Sequence, residues 1–205
     1  MHDEQITADL PGNGVVRKLT RHEMPMLREH LLRLDPESRR DRFNGFADEG
    51  FIERYAAKCC TDGTVIIAFI EDGVVSAAAE LHPPDSEPGS LPEIAFSVER
   101  HVRRKGLGSI LFKKLIAEAR LKGYESLRIT TGAQNEAMRG LANKFGAHLT
   151  FRHGESTGSI DLRKRPTAAP QPLVAIGADL ARTMVDFNRE CWKLMLRMYG
   201  LGRAA

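Results

Sequence analysis

One stretch fixes most of what this chain can fold into: Glu93-Ile-Ala-Phe-Ser-Val98, then Arg103-Arg-Lys-Gly106-Leu-Gly108, then an amphipathic run to Lys122. It predicts a strand, a basic glycine loop and a helix start, which together form a receptor for a pyrophosphate. Glycine lets the backbone approach a ligand and turn its N–H groups inward, and a helix N-terminus adds partial positive charge. Arg103, Arg104 and Lys105 place full charges beside it. The candidate anion-binding residues are therefore Arg103, Arg104, Lys105, Gly106, Leu107, Gly108 and Ser109.

Two familiar phosphate loops are excluded. A P-loop ends in Gly-Lys-Ser/Thr, and that tripeptide is absent from the sequence. A dinucleotide fingerprint needs a small residue at position 111, where Leu111 stands. It also wants an acidic residue closing the next strand, where Ile129-Thr130-Thr131 stands. What remains is Arg-x-x-Gly-x-Gly, met by Arg103, Gly106 and Gly108.

The surrounding pattern predicts a mixed α/β sheet with helices on both faces. Gly14–Leu19 reads as a strand, and Thr20 with Glu23 as a capping box opening a helix that ends before Pro36. Ser38–Phe46 reads as a short helical turn, and Asp48 as the cap of a helix to about Cys60. Val65–Ile70 and Val74–Leu81 are strands joined by an Asp72-Gly73 turn. The Pro-rich stretch 82–92 is a loop. After the glycine loop come a helix from Ser109 to Lys122 and a strand from Leu127 to Thr131. A helix from Asn135 to Phe145 and a hairpin of Ala147–Arg152 with Ser159–Leu162 follow. The predicted organisation is a polar segment 1–13, a domain 14–164, a Pro/Ala-rich linker 165–177 and an amphipathic helix 178–199. On that helix Leu180, Met184, Phe187, Cys191, Leu194 and Met198 form one apolar seam, which predicts docking onto its own domain or onto a second copy.

The net charge of +3 comes from interspersed acidic and basic residues, so a nucleic-acid partner is not expected, and Asp179, Asp186 and Glu190 on the polar face of the predicted C-terminal helix argue against a membrane partner. Cys59, Cys60 and Cys191 show neither metal-ligand spacing nor an even disulfide framework, which fits a reducing cytoplasm. The acidic N-terminus lacks the apolar run of a signal peptide, and Val65–Ile70 is too short to span a bilayer. His148 and His153 differ by an odd number and fall on opposite faces of a strand, so no metal site is expected.

With its flanking strand and helices, the Arg103-x-x-Gly106-x-Gly108 segment resembles the cofactor core of the GNAT acetyltransferase superfamily, over about residues 14–162. The resemblance implies acetyl-CoA as co-substrate, with loop amides on its pyrophosphate and its pantetheine between the splayed strands 93–98 and 127–131. Leu34-Asp-Pro-Glu-Ser-Arg-Arg-Asp-Arg-Phe43, Pro92-Glu-Ile-Ala-Phe96 and Asn135-Glu-Ala-Met138 further resemble the acetyltransferase domain of bacterial protein lysine acetyltransferases.

Acetyl transfer to an amine needs a base, because a free lysine with pKa about 10.4 is neutral in only about one molecule in 2,500 at pH 7. It also needs a donor for the oxyanion. The resemblance assigns the base to Glu93 and the donor to a backbone N–H near Val98, at an expected strand bulge. The other reading of Glu93 is an exposed strand-end carboxylate. Asn135 caps its helix and, by resemblance, is placed to bond the pantetheine. The tyrosine that many relatives use as general acid falls at Ala142, so no general acid is assigned. The expected activity is an N-acetyltransferase acting on a protein lysine or a small amine. The rival reading is a non-catalytic acyl-CoA-binding regulatory or interaction module.

Overall fold

The computed structural model describes residues 10, 12–152 and 154–163. His153, the predicted linker, the C-terminal helix and nearly all of the N-terminal polar segment lie outside them. The chain runs β1 (Val15–Lys18), α1 (Met24–Arg33), α2 (Pro36–Phe43), α3 (Glu49–Thr61), β2 (Val65–Glu71), β3 (Val74–His82), β4 (Glu93–Val98), α4 (Leu107–Leu121), β5 (Ser126–Gly132), α5 (Glu136–Lys144), β6 (His148–Arg152) and β7 (Glu155–Asp161). The strands form one seven-stranded sheet ordered β1-β2-β3-β4-β5-β7-β6. Every neighbouring pair is antiparallel except β4 with β5.

Two cores cover the two faces of this mixed α/β sheet. Val65, Ile67 and Phe69 pack with Leu111, Phe112 and Leu115 of α4 on one side. Ile66, Ala68 and Ile70 pack with Leu27 and Leu31 of α1 and Ile52 of α3 on the other. A strand buried on both faces must be apolar at every position, which is why β2 does not alternate.

Local signals set most boundaries. Thr20 and Glu23 make the capping box, here on a 3-10 turn (Arg21–Glu23) that leads into α1. Asp48 Oδ1 accepts from Phe51 N at 2.7 Å at the start of α3. Asp72 and Gly73 both take positive φ, 51° and 76°, the hairpin turn whose twist matches its strands. The α2 expectation needs correction, because the helix spans Pro36–Phe43 rather than 38–46. Asp35 is its cap, accepting from Ser38 N at 3.1 Å, and Pro36 sits in its first turn. Helix α4 likewise starts two residues earlier than predicted, at Leu107.

Candidate active site

The parallel pair β4 and β5 holds together only at Glu93 with Arg128 and Ile94 with Ile129. Beyond Ile94, β4 stays in unbroken register with β3 through Val98, while β5 continues along β7. The expected bulge near Val98 is therefore absent; the register shift in this part of the sheet lies between Phe69 and Ile70 on β2. A bulge is not needed to aim the amides. Pro92 O accepts from Arg128 N on β5, and Glu99 N donates to Ser76 O on β3. Strand alternation then turns the N–H groups of Phe96 and Val98 into the gap that β5 leaves. Thr130 Oγ1 and Thr131 Oγ1, on the facing stretch of β5, are buried without a hydrogen-bond partner among the described residues. Phe96 stacks on Phe112 at 5.0 Å and Phe112 on Phe145 at 4.2 Å, a rigid aromatic floor beneath this edge.

The gap opens onto the start of α4. Gly106 is the N-cap residue, left-handed at φ 78°, and no side chain caps the helix. In helical geometry the first N–H groups have no intrahelical acceptor, which leaves those of Gly106, Leu107 and Gly108 for a ligand. Arg104 also takes positive φ, 59°, so left-handed residues flank Lys105 and turn successive amides to one side. A Cβ on Gly106 would meet no protein atom within 4 Å and would project into open space. At Gly108 the constraint differs: a Cβ would lie 3.2 Å from Leu141 Cδ2, so this glycine serves the packing of α4 on α5. The Leu107 side chain is in the core and contributes only its backbone. The Ser109 hydroxyl accepts from Lys144 Nζ at 2.9 Å, which brings a further cation, not anticipated from sequence, to the helix start.

The basic cluster divides in two. Arg104 and Lys105 are exposed at the loop tip. Arg100 and Arg103 instead fasten the loop. Arg103 donates to Val98 O at 3.0 Å and to Ser38 Oγ at 2.5 Å. Arg100 reaches Asp35 at 2.9 Å and Glu37 at 2.5 Å. The Arg100 hydrogen bonds, helped by Ser38, hold the Asp35 carboxyl well below the usual carboxylate range. Behind the loop His30, fully buried on α1, contacts Glu99 Oε1 at 3.0 Å and Ser97 Oγ at 2.9 Å. Asn135 Oδ1 accepts from Met138 N at 3.0 Å, so capping occupies it. Ala142 is buried in the core.

Glu93 is half-buried at the first position of β4, opposite His82 on β3. On the same sheet face lies a cluster that sequence reasoning missed. Glu80, fully buried, accepts from Arg42 at 2.8 Å and from Tyr55 Oη at 2.5 Å. Tyr55 Oη also accepts from Arg42 at 2.5 Å and lies 3.0 Å from His82 Nε2. Burial alone would raise the Glu80 pKa; Arg42, with His82 and Tyr55, reverses this and holds the carboxyl well below its ordinary value. Burial pushes the Tyr55 phenol up. Burial, reinforced by Glu80, raises the Cys59 thiol to about 12. Ligand atoms of Cys59, Glu80 and His82 lie within 4.8 Å of one another. The Arg42 guanidinium, 2.8 Å from Glu80, already supplies the positive charge that this carboxylate needs. The one clue in the sequence was a glutamate inside the apolar run Ala77–Leu81, since a buried carboxylate requires a partner.

Among the described residues no helix is long and apolar enough to cross a membrane. The fold is shared with the GNAT domain of PAT from S. lividans, at 20% identity and TM-score 0.61, covering 73% of this chain and 91% of that one. It is shared with yncA from Salmonella typhimurium, a putative acetyltransferase solved with its cofactor acetyl-CoA, at 20% identity and TM-score 0.54, over 79% of this chain and 100% of that one. The paia N-acetyltransferase of Thermoplasma acidophilum, in complex with coenzyme A, matches at 15% identity and TM-score 0.53, over 73% and 99%. Residues 27–147, more than half the chain, match the family described as acetyltransferase (GNAT) and take in both the divergent strand pair and the uncapped α4. The chain belongs to the GNAT acetyltransferase family.

Proposed function

We propose that the protein transfers the acetyl group of acetyl-CoA to a primary amine by direct attack, with Glu93 as general base. The observation that carries this reading is the continuity of two unpaired backbone surfaces. The β4 edge with the Phe96 and Val98 amides runs into the uncapped N-terminus of α4 over the left-handed Arg104 and Gly106. A diphosphate suits the second surface, where amides, the helix dipole, Arg104 and Lys105 converge. An extended amide-bearing arm suits the first, since it can add to the edge as a strand does.

Glu93 takes a proton from the acceptor's ammonium, the neutral amine then attacks the thioester carbonyl carbon, and a backbone N–H of β4 stabilises the oxyanion. Phe96 suits this better than Val98. At about 3.3 Å per residue its amide lies about 10 Å along the strand from Glu93, against about 16 Å for Val98. The thiolate is its own adequate leaving group, because a thiol of pKa about 8.5 departs far more easily than an alkoxide. The buried Ala142 therefore does not stop the reaction, though it is the feature that favours the rival reading, a coenzyme A-binding module without turnover.

We further propose a protein lysine as acceptor. The support is the likeness of Leu34–Phe43 and Pro92–Phe96 to bacterial protein lysine acetyltransferases. Glu93→Gln should bind coenzyme A as the wild type does and lose roughly 10²–10⁴-fold in kcat. Undiminished turnover would remove the base assignment, and absent turnover in the wild type would favour the binding module. Incubation with labelled acetyl-CoA and a lysate shows whether label reaches protein or only small molecules.

A further inference from the structure

The hydrogen bonds around His82 define which form of the ring its pocket accepts. Its Nδ1 lies 3.1 Å from Thr64 Oγ1, and its Nε2 lies 3.0 Å from Tyr55 Oη and 3.3 Å from Glu80 Oε2. Each hydroxyl has one proton, and each is already committed. Thr64 Oγ1 donates to Asp62 Oδ1 at 2.5 Å, and Tyr55 Oη donates to Glu80 Oε2 at 2.5 Å. A carboxylate cannot return a donor, so both hydroxyls face the imidazole with lone pairs. Both ring nitrogens are thus offered acceptors, and only the doubly protonated ring makes every bond.

His82 is also the direct cross-strand partner of Glu93. Opposite residues on an antiparallel pair share a face, with Cβ atoms about 4.5–5.5 Å apart. The groups bordering the ring are Glu80 on β3, Tyr55 and Cys59 on α3, Arg42 on α2, Asp62 before β2 and Glu93 on β4, with Arg128 on β5 beyond Glu93. Glu80 pairs with both Arg42 at 2.8 Å and the ring at 3.3 Å, and across the strand pair the same ring stands opposite Glu93.

We propose that His82 is a positioning residue for the general base: the Arg42–Glu80–Tyr55 cluster holds it as an imidazolium opposite Glu93, where its charge keeps that carboxylate ionised. This rests on Glu93 being the base. A buried ion pair is weak evidence for stability by itself, and its attachment to a partly exposed histidine beside the site gives it a second role.

Two measurements test it. In ¹⁵N-histidine spectra of the full-length protein at pH 7, with His82 assigned by loss of its signals in His82→Gln, both ring nitrogens should carry protons. This readout needs no turnover, so it can fail or succeed independently of the acetyltransferase reading. In the pH profile of kcat/KM, His82→Gln removes a cation that favours ionised Glu93. The acid limb should therefore move to higher pH by about one unit. Tyr55→Phe, which removes one of the acceptors, should move it the same way by less. A single neutral tautomer at pH 7 overturns the proposal, and so does a limb that stays in place while the plateau falls, the mark of a merely structural role. If His82→Gln does not fold, the wild-type spectrum, assigned by through-bond correlation, decides alone.

Discussion

Glu80 organises its surroundings more than any other charged residue in the described chain. Placed between Ala79 and Leu81 in a strand buried on both faces, it has no water to solvate it and depends on Arg42. Glu80→Ala would leave that guanidinium buried without its counter-charge and should destabilise the fold by about 3–5 kcal/mol, measurable by urea denaturation. The pH dependence has a definite sign. The folded-state pKa values of Glu80, Glu99 and Asp35 are all depressed, so their stabilisation is fully present above the range of free carboxylates, about 4. It is lost as pH falls toward the folded-state values. The wild type should therefore lose stability steeply below about pH 4, and Glu80→Gln should show a shallower acid decline from a lower starting point. The two loop glycines should also differ. Gly106→Ala forces a Cβ into φ 78° at a cost of about 1–2 kcal/mol and obstructs open space at the anion site, so cofactor affinity falls in a folded protein. Gly108→Val meets Leu141 and should first lower the melting temperature.

Among the elements, α2 has the widest reach. Its N-terminal end is tied to the cofactor loop through Asp35–Arg100 and Ser38–Arg103, and its later turn carries Arg42 to Glu80 beside Glu93. Asp35→Ala removes both the helix cap and the Arg100 ion pair. It should cost about 1 kcal/mol from the cap and also weaken coenzyme A binding, whereas Asp48→Ala, a cap on α3 with no tie to the loop, should cost similar stability without affecting affinity. Thermal melts and titration calorimetry on the two variants separate these effects. The element scale also shows what the sequence could disclose. The caps at Asp48 and Asn135, the Asp72-Gly73 turn and the glycines ending α4 and α5 were legible because their physics is confined to a few residues. Asp35-Pro36 carries the same kind of signal, a cap followed by proline, and places the start of α2 two residues before the expected Ser38. The Arg42–Glu80–Tyr55–His82 cluster was not legible, because its members are 38 and 25 residues apart and meet only when α2 and α3 lie on β3. The fastening role of Arg103 was hidden for a similar reason: a run of like charges does not reveal which member turns inward.

At the scale of the whole molecule, the candidate site follows from one divergence between neighbouring strands. Six strand pairs hold the seven strands, and the single parallel pair comes apart after two residues. Each half of the sheet has its own support there: β4 is held to β3, α1 and α2, and β5 to β7. We propose that this unit is sufficient for acetyl transfer and that residues 166–205 serve assembly. Deleting them should preserve cofactor binding and turnover while removing any dimer seen by analytical ultracentrifugation; lost turnover would assign that segment to the site. The most direct test of the central claim, that the turn around Gly106 and the open start of α4 grip the diphosphate of acetyl-CoA, is calorimetric titration of coenzyme A into the wild type and into Gly106→Val. The account predicts clear binding to the wild type and at least a tenfold loss in a variant whose circular dichroism shows it folded. Equal affinity in the two proteins would contradict it.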